Sequence, residues 1–305
     1  MKSELTINNI HLKFTHLDKL LFPEQGMTKG EVIEYYLKIS PLFLRYVKKR
    51  PLTLQRFPKG IQISGFIQKH ADFFPEWIER VSLPAKAEPM FYVIANKKAD
   101  LGYLVNLNTI TFHSAFSTID KIEYPDMLVW DLDPSDSNFN KIMEVAFKIK
   151  EFADLHHIKL LLKTTGSKGL HLYAPLNKQL HFDEIHLFSK IVANILARQF
   201  PKQITTEQQK VNRKGRVLID YVRNSYGQTA VSPYSLRALP GAPVATPITW
   251  DELGTTVLSS KQFNLANIFD RLKEKGDIWR KAKVMNPNIH TLILQINQEY
   301  KKIIS

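Results

Sequence analysis

The chain has 305 residues, with 42 Lys or Arg against 29 Asp or Glu, for a net charge of +13. Cysteine is absent, so disulfides, thiolate catalysis and cysteine-held zinc are excluded, and a metal would have to rest on carboxylate, imidazole or carbonyl groups. No apolar run is long enough to span a bilayer, and a cation surplus of this size points to a phosphate polyanion as partner.

Taken in order, the opening residues MKSELTINNIHLKF carry no apolar signal core, which leads us to expect a cytoplasmic protein with no membrane partner. Thr28-Lys29-Gly30-Glu31 fits a capping box, with an amphipathic helix following through VIEYYLKI. Pro41 is expected to break or restart that helix. Alternating apolar and polar residues predict a strand at 51–57, and further strands are predicted at 91–96, 109–113 and 127–133. Helical spacing follows from Phe139 to Leu155. The runs 158–164 and 170–175, joined by Gly-Ser-Lys-Gly, predict a hairpin. A helix is predicted from Phe182 to Gln199, a buried strand at 217–221, and helices at Phe263–Lys275 and near the C-terminus. Mixed strands and helices argue for an α/β or α+β architecture. No linker separates two halves, so the expectation is two interlocked modules around one cleft, with a soft division near Pro125.

MLVWDLDP drives a hydrophobic strand into carboxylates. Residues two apart on a strand share a face, so Asp131 and Asp133 project side by side and Leu132 faces the other way. Two carboxylates this close repel unless a cation sits between them, and oxygen ligands suit magnesium or manganese. VLIDY ends its own apolar run in Asp220. Three such groups are able to hold two divalent ions for phosphoryl transfer. Asp126 and Asp136 read as turn or helix-start residues. In KTTGSKGLHLYAPL, Gly166 and Gly169 free the backbone for a tight turn that offers N–H groups to a phosphate, beside Ser167, Lys168 and His171. The Walker A spacing is absent. Arg213, Lys214, Arg216, Arg223 and Arg237 concentrate positive charge in the sequence around Asp220. From the residues alone, a glycosyltransferase, an aspartyl-phosphate phosphatase and a non-catalytic end-bridging module stay open. The depth of the Asp-x-Asp in the chain counts against the phosphatase.

Several long segments resemble one family: LDKLLFPEQGMTKGEVIEYY, RPLTLQRFPKG, GFIQKH, WDLDP, TTGSKGLHLYAPL, VLIDYVRNS and QTAVSPYSLRALPGAPVATPITWDEL. Together they resemble the polymerase domain of bacterial ligase D, the end-joining branch of the archaeo-eukaryotic primase superfamily. The resemblance implies an α+β primase-like fold, an N-terminal α/β module interlocked with an RRM-like module. It implies a template-dependent nucleotidyltransferase that extends primers at DNA double-strand ends and fills short gaps. Another gap-filling route is the alternative pathway.

Asp131, Asp133 and Asp220 would then be the carboxylates for two Mn2+ or Mg2+ ions. Ser167, Lys168, Gly169, His171, Arg223, Arg237 and His113 would face the incoming ribo- or deoxynucleotide. Lys19 and Lys29 match a pair that grips a recessed 5′-phosphate, Phe66 a residue that stacks near the templating base, and Arg213 the loop that helps two DNA ends meet. Arg56 and Lys69 would join the DNA contacts. The resemblance also implies a separate DNA ligase and an end-binding protein as partners, and association with the nucleoid. The chain departs from the family pattern at Gln55, at Ile67 and at Ala115-Phe116-Ser117.

Overall fold

A computed structural model describes residues 2–70, 73–83, 89–136, 138–282, 286 and 288–304. The chain divides into two compact units. Unit 1 comprises Met1–Asp120, Thr229–Ala245 and Phe263–Glu274, and unit 2 comprises Lys121–Gln228, Thr246–Gln262 and Lys275–Ser305. In chain order, unit 1 begins with β1 (Glu4–Ile7), β2 (Ile10–Lys13), β3 (Leu20–Phe22), β4 (Met27–Thr28) and α1 (Lys29–Val47). It continues with β5 (Leu52–Arg56), β6 (Phe66–Gln68), β7 (Arg80–Leu83), β8 (Met90–Val93), α2 (Lys98–Asn106) and β9 (Thr109–Ala115). Unit 2 then supplies β10 (Met127–Pro134), α3 (Phe139–Leu155), β11 (Leu161–Thr164), β12 (Leu170–Pro175), α4 (Phe182–Gln199), β13 (Ile204–Thr205) and β14 (Val217–Asp220). After that the chain alternates: β15 (Thr229–Val231) belongs to unit 1, β16 (Pro247–Ile248) to unit 2, and α5 (Ile268–Lys275) mainly to unit 1. The helices α6 (Ile278–Ala282) and α7 (Ile289–Ile304) complete unit 2.

The sheet of unit 1 runs β15-β9-β5-β8-β7, with β6 hydrogen-bonded to β5. Ile110 and Phe112 of β9 are fully buried, and the Phe112 ring lies 4.9 Å from Tyr36 and 5.5 Å from Phe43 of α1. That helix starts at the expected capping box, with Glu31 N donating to Thr28 Oγ1 and Thr28 N to Glu31 Oε2. Contrary to expectation, it runs straight through Pro41. A helical proline deprives the carbonyl four residues earlier of its donor, and here the Ser40 hydroxyl donates to Leu37 O at 2.9 Å. The chain passes from unit 1 to unit 2 at Asp120–Lys121 and later crosses back. Segment Thr229–Ala245 returns to unit 1 because β15 pairs antiparallel with β9, Val231 opposite His113.

The sheet of unit 2 runs β13-β14-β10-β12-β11-β16 and is antiparallel except for the β13–β14 pair. Helices cover the face of β10 that carries Leu128, Trp130 and Leu132: the Trp130 ring stands 6.4 Å from Phe188 of α4. Alternation along β10 therefore turns Asp131 and Asp133 to the opposite face. The predicted hairpin is β11–β12, with Lys163 opposite His171. Contrary to expectation, β10 does not stop before Pro134, which pairs with Val217 of β14. Among the described residues no helix is long and apolar enough to cross a membrane.

Candidate active site

Register builds the centre of unit 2. Asp131 on β10 lies directly opposite Asp220 on β14 and His171 on β12, and His171 lies opposite Lys163 on β11. Four polar side chains thus form a row across four adjacent strands, all of them buried in a mostly apolar sheet. Asp133, two residues on, shares the face of Asp131. A 3₁₀ turn at Val222–Asn224 follows β14 and closes the row. Its Val222 N donates to Asp220 Oδ1 at 3.0 Å. Asn224 anchors the turn by accepting from Val129 N at 2.8 Å and donating to Val129 O at 2.7 Å. This holds Arg223 so that its Nε lies 3.2 Å from Asp131 Oδ2 and 3.3 Å from Asp220 Oδ2.

The charges are unevenly satisfied. Burial alone would raise Asp131, but His171 and Arg223 outweigh it and hold this carboxyl below the ordinary range. Burial, reinforced by Asp131 and Asp220, raises Asp133 to about 6 against partial relief from Arg213 and Arg223. Burial and Asp131 also raise Asp220. Burial lowers His171 to about 4, opposed by Asp131 and aided by Lys163 and Arg223. A neutral His171 facing an ionised Asp131 must carry its proton on Nε2, 3.2 Å from Asp131 Oδ1, so Nδ1 accepts from the Tyr173 hydroxyl at 3.0 Å. The Lys163 ammonium lies 5.3 Å from the centre of the Tyr173 ring. Among the described residues no three carboxylate or imidazole groups converge closely enough to hold a metal ion as they stand. Arg223 is the cation shared by Asp131 and Asp220.

The glycine turn abuts this row. Gly166 is in the left-handed region at φ +66°, which glycine adopts without steric cost. A Cβ on Gly169 would overlap the Leu132 carbonyl oxygen and sit 3.4 Å from Asp133 Oδ1, so the turn lies flush against the carboxylate strand. Lys168 is exposed at its tip and Ser167 half-buried. One expectation needs correction: the Ser167 and Gly169 N–H groups are not offered to a phosphate. Both donate to Thr165 Oγ1, at 3.2 and 3.1 Å.

The remaining expected residues are distributed as follows. Arg213 is in unit 2 and buried, its Nε and Nη2 donating to the Glu207 and Gln208 carbonyls at 3.1 and 2.9 Å. Arg237, half-buried, lies in unit 1 together with His113 on β9. Lys19 and Lys29 are brought together in unit 1, where Lys29 N donates to Lys19 O at 2.7 Å. Lys29 is only 2% exposed, and its ammonium donates to Thr15 O at 2.6 Å. Burial, with Lys19 adding to it, pushes Lys29 down to about 8. Phe66 is 47% exposed, with the Arg56 guanidinium 5.2 Å from its ring centre. Arg56, Phe66, Ile67, Lys69, Phe73 and Met90 line an open concavity of about 650 Å³.

Sequence reasoning assigned no role to Lys163, Thr165, Tyr173, Asn224 or Ser260. Lys163 carried a readable signal, a cation closing the apolar run Leu160–Leu162, of the same kind that exposed Asp220.

A family profile described as "LigD, primase-polymerase domain" matches residues 28–279. The multifunctional non-homologous end joining protein LigD of Mycolicibacterium smegmatis is 32% identical over 271 residues, covering 88% of this chain and 35% of that protein. The bifunctional LigD of Bacillus subtilis is 30% identical over 298 residues, covering 95% of this chain and 47% of that protein. The chain therefore spans between a third and a half of the length of these relatives. Among solved structures, the polymerase domain of Mycobacterium tuberculosis ligase D in complex with DNA superposes with a TM-score of 0.82 at 27% identity, covering 88% of this chain and 97% of that one.

Proposed function

The chain belongs to the family of LigD primase-polymerase domains, and on that footing we propose that it is a template-dependent nucleotidyltransferase that extends primers at DNA double-strand ends and fills short gaps in end joining. The observation that carries this reading is the buried row of Asp220, Asp131 and His171 beside Asp133, flush against a glycine turn tipped by Lys168. Carboxylates short of positive charge lie next to a loop suited to phosphates, which is the pairing that phosphoryl transfer needs.

The donor set fits a hard divalent cation, because Asp131, Asp133 and Asp220 present oxygen only and burial, with the neighbouring carboxylates, raises Asp133 to about 6 despite Arg213 and Arg223. Magnesium or manganese held by these three, two ions in this reading, would favour ionisation of the attacking 3′-hydroxyl and neutralise charge on the phosphates. The protein's own groups do the rest. His171 Nε2–H fixes the orientation of Asp131, and Tyr173 fixes the tautomer of His171. Lys168 and Ser167 grip the triphosphate, and Arg223 moves from the carboxylates towards phosphate oxygens. Arg237 and His113 are nucleotide contacts on the strength of the resemblance.

On the DNA side, Lys19 and Lys29 take a recessed 5′-phosphate. Phe66, with Arg56 and Lys69 in the same concavity, stacks near the template. Arg213 acts by shaping the loop at Glu207–Arg213 that receives a second DNA end. A DNA ligase activity and an end-binding protein act with it on cytoplasmic, nucleoid-associated DNA.

Primer extension on 5′-phosphorylated gapped DNA, run with ribo- and deoxynucleotides and with either metal, tests this. The expected result is template-dependent addition with release of pyrophosphate. Bridging of DNA ends without any nucleotide incorporation would refute it in favour of an end-bridging module.

A further inference from the structure

The turn at Thr165–Gly169 is not held by its own sequence alone. Thr165 Oγ1 accepts the N–H groups of Ser167 and Gly169, which uses both of its lone pairs. Ser260, 91 residues beyond Gly169 and only 3% exposed, places its Oγ 2.7 Å from Gly169 O and 3.1 Å from Thr165 Oγ1. The short contact commits the Ser260 proton to the Gly169 carbonyl, and the Thr165 hydroxyl, 3.1 Å from both Gly169 O and Ser260 Oγ, has its proton shared between that carbonyl and Ser260. The result is a closed ring: Thr165 holds two amides of the turn, and Ser260 joins that hydroxyl to the last carbonyl of the turn. That carbonyl belongs to the residue that lies against Leu132 O and beside Asp133.

We propose that Ser260 is a positioning residue for the nucleotide turn, setting Lys168 and Ser167 relative to Asp133 through the Gly169 carbonyl and the Thr165 hydroxyl. This rests on the reading of the turn as a triphosphate grip. Ser260 is far from that grip in sequence, and both hydrogen bonds described for its hydroxyl end inside the turn. A loop containing Gly166 and Gly169 has much backbone freedom to lose when it closes on a ligand. Preorganising it lowers the cost of nucleotide binding and leaves the folded sheet nearly untouched.

The test is steady-state extension at saturating gapped DNA with nucleotide varied, alongside DNA affinity, thermal melts and direct titration of nucleotide in the absence of turnover. Ser260→Ala and Thr165→Val are each expected to raise the nucleotide KM and dissociation constant about 5- to 10-fold, the scale of one buried hydrogen bond. DNA affinity should not change. Thr165→Ser, which keeps the hydroxyl, should retain the wild-type KM. A merely structural role would lower kcat through loss of folded protein at constant KM, and that outcome overturns the proposal. So does a Thr165→Ser variant as impaired as Thr165→Val. Wild-type protein that binds no nucleotide overturns the polymerase reading itself, whereas normal wild-type extension with unchanged KM in Ser260→Ala overturns only the role of Ser260.

Discussion

Replacing Arg223 with Gln should destabilise the fold in a way that a divalent cation repairs. Arg223 Nε lies 3.2 Å from Asp131 Oδ2 and 3.3 Å from Asp220 Oδ2, so one guanidinium compensates two buried carboxylates and relieves Asp133 as well. At an effective dielectric of 20, a unit pair near 4 Å is worth about 4 kcal/mol before desolvation. Removing one partner of a buried pair typically costs about 3–5 kcal/mol. Arg223 is 36% exposed on its side chain, and solvent screening brings the expectation down to about 2–3 kcal/mol. For a protein of this size that corresponds to a melting temperature lower by about 4–10 °C. The assay is a thermal melt of wild-type and Arg223→Gln protein with and without millimolar manganese. Manganese should stabilise the variant more than the wild type, because the ion binds where the lost cation left charge unbalanced and binding to the native state adds stability by mass action. A variant that melts within a degree of wild type, or equal stabilisation of both by manganese, refutes the argument that Arg223 is the resident counter-charge.

Asp133→Ala should abolish extension yet leave the affinity for gapped DNA close to wild type in a gel-shift titration; extension at the wild-type rate would remove Asp133 from the site. The preference for 5′-phosphate over 5′-hydroxyl DNA should depend on pH through Lys29, whose ammonium is present in the folded protein below about 8. The preference is held below that value and fades as pH rises through it, whereas an ordinary lysine near 10.4 would keep it to pH 9 and beyond. The same depression costs folding stability wherever Lys29 must be charged, so that stability should recover between about 8 and 10.5, where the folded protein has released a proton that the unfolded chain still holds. Binding to the two DNA forms measured at pH 7 and pH 9 decides the first point. Gly169→Ala should cost about 1–3 kcal/mol, because its Cβ would overlap the Leu132 carbonyl oxygen and the turn must back away from Asp133. Its melt should drop and its nucleotide KM rise together.

Local chemistry carried much of the fold into the sequence. The Thr28–Glu31 box starts α1, and α3 runs from Phe139 to Leu155 as its spacing predicts. The glycine turn closes β11 onto β12, and VLIDY forms β14 up to Asp220. What escaped depends on partners far along the chain. Pro41 looked like a break because nothing in its own type shows that Ser40 would cap Leu37 O. Lys163 joined the row only through the β11–β12 register, and Ser260 only through a segment folded back from 246–262. Lys29 and Arg213 each turn the side chain onto backbone carbonyls, a choice set by neighbouring loops and not by residue type.

The return of Thr229–Ala245 and Phe263–Glu274 to unit 1 has a consequence for biosynthesis. As the chain leaves the ribosome, everything needed for β9 is present after residue 115, but the strand that covers its edge arrives with Thr229–Val231. Tyr35, near the start of α1, waits for Tyr234 before its hydroxyl finds a carbonyl at 2.7 Å. Contacts this distant slow the search for the native state, and a bare strand edge is a template for pairing with other chains. Nascent chains halted between residues 121 and 228 therefore present β9 unpaired along one side. Neither unit can be separated from the other by a single cut, so shortened forms that end before Thr229 should aggregate, while forms that include it should remain in solution.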